Sequence, residues 1–246
     1  MKRKDFLHLT GICSIGLFTI PHLALGAQDR FTIAQLIGKG NPEITGNSYR
    51  QKMHKQTKDA FLEMKAAAAK DNISIEVVSA YRSFERQKEI FEGKYKRFTG
   101  QGLSPKQALS KIIEYSTIPG TSRHHWGTDI DIIQANTGAR PSSVLQEKHF
   151  YGNGPFCDMK VWLTKNASSF GFYEVYTKDA NRKGFSHEPW HFSYKPVSKP
   201  MLTAYKKLDI KSILQQEKIM GSEHFSDDFI AKYVQEHILD INPELL

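Results

Sequence analysis

The sequence predicts an α+β fold, a small and mainly antiparallel sheet flanked by helices. Two observations lead there: short segments of period-two alternation are separated by stretches of helical periodicity, and the alternating segments pair up in hairpin-like fashion around the residues of chemical interest. At 246 residues the chain is long enough for one domain with a substantial core, and a hydrophobic share of 39% argues against a membrane protein. Neither an internal repeat nor a low-complexity tract is present.

The first segment is a leader. Lys2, Arg3 and Lys4 precede a mostly apolar run from Leu7 to Leu25, interrupted at Pro21 and His22, and Ala24-Leu25-Gly26 is a small-x-small cleavage site. A signal peptide over residues 1–26 is therefore expected, and a membrane anchor fits less well because the apolar run is broken and short. Arg3-Lys4-Asp5-Phe6-Leu7 looks like a degraded twin-arginine signal, so the general and the twin-arginine routes both stay open. The expected location is outside the cytoplasm, periplasmic or in the cell envelope, with no stable membrane span after cleavage. Cys13 would leave with the leader, and Cys157 alone cannot form an internal disulfide or a cysteine-based metal site. The formal charge is +8; the leader carries three positive charges and one negative, leaving +6, a balance suited to an anionic envelope polymer. Nucleic acid is not expected as a partner, because the basic residues are scattered and no basic block is interleaved with aromatics.

Residues 27–47, with Gly38, Gly40, Pro42 and Gly46, read as an extended lead-in. Met53, Thr57, Ala60, Phe61 and Met64 recur at helical spacing and Ala66 to Ala69 sustain the helix. Ile73, Ile75 and Val77 alternate as in a half-buried strand, which delivers Ser79-Ala80-Tyr81-Arg82-Ser83 at its end; Ser83 then caps a helix running towards Tyr95. Ser104-Pro105 opens a further helix with Ala108, Leu109, Ile112 and Ile113 on its buried face. Asp129-Ile130-Asp131-Ile132 places both acids on one strand face and both isoleucines on the other. Val161 to Phe170 reads as helix ended by Gly171, followed by strands at Phe172 to Tyr176 and His191 to Tyr194. Residues 48–200 thus form the chemical domain, and 201–246 a helical extension in which Ser226 caps the stripe Phe229, Ile230, Tyr233, Val234, Ile238.

Two short segments carry the chemistry: Ser122-Arg123-His124-His125-Trp126-Gly127-Thr128-Asp129-Ile130-Asp131 and Glu188-Pro189-Trp190-His191. A catalytic zinc takes three protein ligands and keeps one position for water, and His124, Asp131 and His191 can supply that set. Glu188 is then free to act as general base and acid. Gly127 allows the sharp turn between His124 and Asp131, and Pro189 favours an extended or turning backbone over a helix between Glu188 and His191. His125 becomes the ligand if the register slips by one; a buried histidine is otherwise an ordinary core group. Trp190 is a substrate contact or a core residue, lying as it does between the proposed base and a ligand.

These residues resemble the D-alanyl-D-alanine carboxypeptidases of the vancomycin-resistance Y type, within the zinc peptidases that include D-Ala-D-Ala dipeptidases, phage endolysin peptidases and the hedgehog domain. The resemblance rests on Ser79 to Gln87, Pro119 to Ile132 and Glu188 to Tyr194. It implies a single-domain zinc peptidase fold, Zn²⁺ on His124, Asp131 and His191, and Glu188 as catalytic base. It further implies Ser122, Gln87 and Trp190 in the substrate pocket, and Arg82 meeting the substrate carboxylate or the polarised carbonyl. The implied activity is removal of the terminal D-alanine from peptidoglycan stem peptides by an exported enzyme. An L,D- or D,D-endopeptidase and a non-catalytic zinc-stabilised binding module are the alternatives, and oligomeric state is not legible. One departure stands out: where the family usually has a small residue, this chain has Asp129, able to orient a ligand histidine, repel the Asp131 carboxylate or compete as ligand. Its expected place is behind the ligands, Asp131 ranking first.

Overall fold

The computed structural model describes residues 30–48 and 50–246; the leader expected at 1–26 lies outside them. Residues Phe31–Leu246 make up one compact unit. The fold is α+β, as the alternation and periodicity imply. Its main sheet has four strands, β3 (Ile75–Ser79), β4 (Asp129–Gln134), β6 (His191–Tyr194) and β5 (Phe172–Glu174), in spatial order β3-β4-β6-β5 with every pair antiparallel. A two-stranded ladder joins β1 (Ile44–Thr45) to β2 (Met53–His54).

Every residue of β4 is buried, as befits a strand flanked on both sides. Ile130 and Ile132 join Ile75 and Val77 in an apolar cluster against Phe61, Met64 and Ala68 of helix α2 (Lys55–Lys70) and Met159 and Leu163 of α5 (Cys157–Asn166). The alternate residues, Asp129 and Asp131, face the other way, because successive strand side chains point to opposite faces. A second apolar cluster lies among the remaining helices. Phe84 and Phe91 of α3 (Phe84–Gly100), Leu109 and Ile112 of α4 (Pro105–Ile113), and Met201 and Tyr205 of α6 (Lys195–Tyr205) meet there with Leu214 of α7 (Ile210–Gln216) and Tyr233 of α8 (Asp227–Tyr233).

The caps read from the sequence are present. The side chains of Ser83, Ser104 and Ser226 accept from the backbone N–H of Arg86, Gln107 and Phe229 and so satisfy amides that the first helical turn leaves open. Gly171 adopts φ +78° and closes the 3-10 turn Ala167–Phe170 that follows α5. Differences are local. Met53 precedes α2 instead of starting it, because its backbone pairs with Thr45. The lead-in contains one helical turn, α1 (Ile33–Leu36), closed by a reciprocal capping box between Thr32 and Gln35.

The segment beyond residue 200 shares the second cluster, and that boundary falls inside α6. Its tyrosines reach the chain just before the first motif. The Tyr205 hydroxyl donates to Gly120 O at 2.8 Å, and Tyr233 Oη accepts from Ile118 N at 3.1 Å while pairing with Thr121 Oγ1 at 2.9 Å. Among the described residues no helix is long and apolar enough to cross a membrane.

Candidate active site

Sheet register does most of the assembly. Asp131 on β4 stands opposite His191 on β6 and, on its other side, opposite Ser79 on β3. Cross-strand partners on one face are neighbours, so Asp131 and His191 meet although some sixty residues separate them. His124 arrives from a 3-10 turn, Arg123–Trp126, ended by Gly127 at φ +69°. A Cβ on Gly127 would sit 2.7 Å from His54 N, so only glycine lets the chain turn this close to the β2 backbone.

The donor atoms of His124, Asp131 and His191 all lie within 4.8 Å of one another, with all three side chains buried. His124 Nε2 is 3.5 Å from Asp131 Oδ2, and His191 Nδ1 is 3.9 Å from Asp131 Oδ1. Four-coordinate zinc with bonds of about 2.0–2.2 Å has ligand separations of roughly 3.4 Å, so small shifts suffice to fit the ion. The nitrogens that face the cluster are defined by what the others do. His124 Nδ1 is 2.8 Å from Ala80 O and His191 Nε2 is 3.0 Å from Asp129 Oδ2, which leaves Nε2 of the first ring and Nδ1 of the second to face the cluster. Asp131 Oδ1 is buried without a hydrogen-bond partner, an arrangement a cation would resolve.

Glu188 lies against the same nitrogen, its Oε2 2.9 Å from His191 Nδ1. A tight turn sets this distance, with His191 N donating to Glu188 O at 3.0 Å. Burial opposes charge on His191, but its bonds to Asp129 and Glu188 outweigh burial and push its pKa up to about 10. Burial would likewise raise Asp129; the Arg123 guanidinium and the His191 bond overcome it and hold the carboxyl well below the usual range. His124 goes the other way, burial lowering it to about 4, so near neutral pH its ring is uncharged and able to donate a lone pair.

His125 faces away from this cluster. Its Nδ1 is 2.6 Å from Arg82 O and its Nε2 accepts from Gly120 N at 3.0 Å, so the fully buried ring ties the end of β3 to the Pro119-Gly120 turn. Burial lowers its pKa to about 4. An unfolded histidine binds its proton near 6.5, so between about pH 6.5 and pH 4 the unfolded chain holds more protons and stability falls as pH falls. The loss expected from His125 is on the order of 3 kcal/mol. Urea midpoints between pH 7.5 and 4 should show it, and a His125→Gln protein should have a flatter profile over that window.

Arg82 extends from the segment after β3, its Nη1 donating to Gln87 Oε1 at 2.9 Å and its Nη2 to Ser79 Oγ at 3.2 Å. Gln87 is fully buried behind the guanidinium and donates to Thr117 O at 2.7 Å, so it holds Arg82 without lining the cavity. A cavity of about 210 Å³ opens above the cluster, lined by Arg82, Ser122, His124, Asp131, Glu188, Trp190 and His191. Leu145, Phe185 and Tyr115, the last 74% exposed, also line it. His187 stays outside, half-buried between Glu174 at 2.9 Å and Glu147 at 3.2 Å.

Three contributors were not singled out by the sequence reading. Tyr176 lines the cavity with its ring edge-on to His191 at 5.1 Å, and burial pushes its phenol well above the ordinary value, keeping it neutral. Ser79 and Ser193 tie Arg82 and Asp129 in place. The alternation of Ser193 with His191 along β6 was a usable signal for the last; the other two depend on pairing.

Fold and donor set together define an α+β protein with a candidate mononuclear His-Asp-His metal centre flanked by a glutamate. A family profile described as VanY: D-alanyl-D-alanine carboxypeptidase matches residues 50–197, and the chain belongs to this family. A D-alanyl-D-alanine carboxypeptidase of Enterococcus faecalis is 29% identical over 153 residues, 62% of this chain and 52% of that protein. The chain thus spans about half the length of that curated relative. A solved structure of VanYB in complex with D-alanine-D-alanine has the same fold, at 24% identity and TM-score 0.51, covering 73% of this chain and 92% of that one. A vancomycin-resistance D,D-pentapeptidase VanY from a VanB-type cassette, solved in complex with Zn(II), aligns at 24% identity and TM-score 0.49, over 71% of this chain and 90% of that one.

Proposed function

We propose that this chain is an exported zinc peptidase acting on peptidoglycan stem peptides, releasing the terminal D-alanine as a DD-carboxypeptidase. The observation that carries the reading is the convergence of His124, Asp131, His191 and Glu188 on one cavity, in a member of the VanY family. His124 Nε2, Asp131 and His191 Nδ1 would hold the ion. When bound, zinc supplies Lewis acidity towards the scissile carbonyl and makes water nucleophilic near neutral pH. Glu188 takes the proton from the attacking water and passes it to the leaving amine as the C–N bond breaks, so the carboxylate ends the cycle as it began.

Arg82 supplies the fixed positive charge. Its planar fork suits either a terminal carboxylate or the developing oxyanion, and Gln87 and Ser79 pre-set its orientation, reducing reorganisation during the reaction. Ser122 and Trp190 line the cavity where the peptide would lie. The export part of the proposal rests on the leader read at residues 1–26, and the +6 balance beyond it suits an anionic wall polymer.

Digestion of defined muropeptides followed by mass measurement tests the reading. Loss of a single alanine from a pentapeptide stem is the expected product. Cleavage within the stem or a cross-link would reassign the enzyme as an endopeptidase, and an unchanged substrate with zinc bound would indicate a binding module.

A further inference from the structure

Asp129 is the most fully engaged polar group at the site. It is completely buried, and both oxygens are used twice. Oδ1 accepts from Thr128 Oγ1 at 2.8 Å and Ser193 Oγ at 2.6 Å; Oδ2 accepts from Arg123 Nε at 2.9 Å and faces His191 Nε2 at 3.0 Å. Arg123, 3% exposed, also donates from Nη2 to Ser193 Oγ at 2.7 Å and lies over the Trp126 ring at 4.9 Å.

Two of the roles open to Asp129 fall away on this geometry. An oxygen already accepting two hydrogen bonds has no spare lone pair for a cation, so Asp129 does not compete as ligand. Its charge is answered at 2.9 Å by Arg123, so repulsion of Asp131 is offset. What remains is orientation. The carboxylate can only accept, so the His191 ring keeps a hydrogen on Nε2 and turns Nδ1 toward Asp131 and Glu188, where a cation would take the place of the Nδ1 proton. The ladder makes this possible: Asp129 stands opposite Ser193, and Asp131 opposite His191, on one face of β4 and β6. A small side chain at 129 would leave Arg123 and His191 Nε2 without this partner in a buried setting.

We infer that Asp129, with Arg123 as its counter-ion and Ser193 and Thr128 as further donors, is a positioning residue that fixes the His191 ring for cation binding through Nδ1 and thereby sets how tightly zinc is held. This rests on the zinc-peptidase reading and specifies which residues outside the ligand set govern metal retention. Carboxylates placed behind a ligand histidine generally change metal affinity about 10–100-fold when removed.

The test is zinc affinity of the purified full-length protein, measured at fixed pH by competition with a chromophoric chelator. Asp129→Asn keeps the shape and an acceptor oxygen but loses the charge, and is expected to weaken zinc binding about 10–100-fold. The Co(II)-substituted variant should show an altered d–d spectrum, a readout that a merely structural aspartate would not move. Ser193→Ala, which removes one donor from Asp129 and one acceptor from Arg123, should weaken zinc binding in the same direction and by less; it serves as the measurement if Asp129→Asn does not fold. Unchanged affinity and an unchanged Co(II) spectrum in a folded variant overturn the inference alone. A wild-type protein that takes up no zinc overturns both the inference and the reading beneath it.

Discussion

Glu188→Ala is expected to lower kcat about 10²–10⁴-fold while leaving one zinc per chain. The argument is positional. Glu188 Oε2 lies 2.9 Å from His191 Nδ1, beside the cluster yet outside the ligand set, and its side chain is 29% exposed, so it reaches the cavity where a water and a peptide would meet. In the proposed mechanism, removing it takes away the proton carrier for both bond making and bond breaking without removing a zinc donor. Metal content by elemental analysis and turnover on a pentapeptide stem, measured on the same preparation, separate the two effects. Unchanged turnover would remove the base assignment; loss of zinc together with turnover would make Glu188 a ligand.

Removal of the metal should have the larger effect, complete loss of hydrolysis, restored by one equivalent of zinc. His124→Ala should mimic it permanently, since it deletes one of three donors and leaves Asp131 and His191 to bind the ion alone. The fold should survive either change. Two apolar clusters hold the helices and sheet together away from the donor set, and His125, Tyr205 and Tyr233 fix the turn before His124 through the backbone. Stability should nevertheless fall by about 3–4 kcal/mol relative to protein in zinc at 100–1,000 times its Kd, because an ion that binds only the folded state stabilises it by mass action. Thermal unfolding and far-ultraviolet circular dichroism, with and without chelator, check both statements. A chelated protein that keeps full activity would contradict the mechanism.

Much of this site was legible because its chemistry is compressed into short motifs. Gly127 announces a sharp turn, and the Asp129-Ile130-Asp131-Ile132 alternation announces a strand with an acidic face; the structure has both. Choosing between His124 and His125 was harder, since adjacent residues differ only in direction. The 3-10 turn decides it: it aims His124 at Asp131 and sends His125 towards Arg82 O and Gly120 N. Gln87 shows the converse limit. Its place in the motif marked it as important, while the structure puts it behind Arg82, because helix α3 turns that side chain into the protein and onto Thr117 O. The helices after residue 200 read as packing alone, since a tyrosine in an apolar stripe gives no hint of where its hydroxyl ends; Tyr205 and Tyr233 end at the turn that carries the first motif.

By itself the sequence determined the α+β class, the capped helix starts and the inventory of two imidazoles, a carboxylate and a neighbouring glutamate, because period, capping and turn chemistry act between residues a few positions apart. Tertiary structure alone decided which nitrogen of each ring faces the cluster, which aspartate is left free and what holds Arg82. Those depend on antiparallel register and on hydrogen bonds that only the folded backbone brings together, His191 to Asp129 and His124 to Ala80 O among them, and a slip of one position in the β4–β6 ladder would turn His191 away from Asp131.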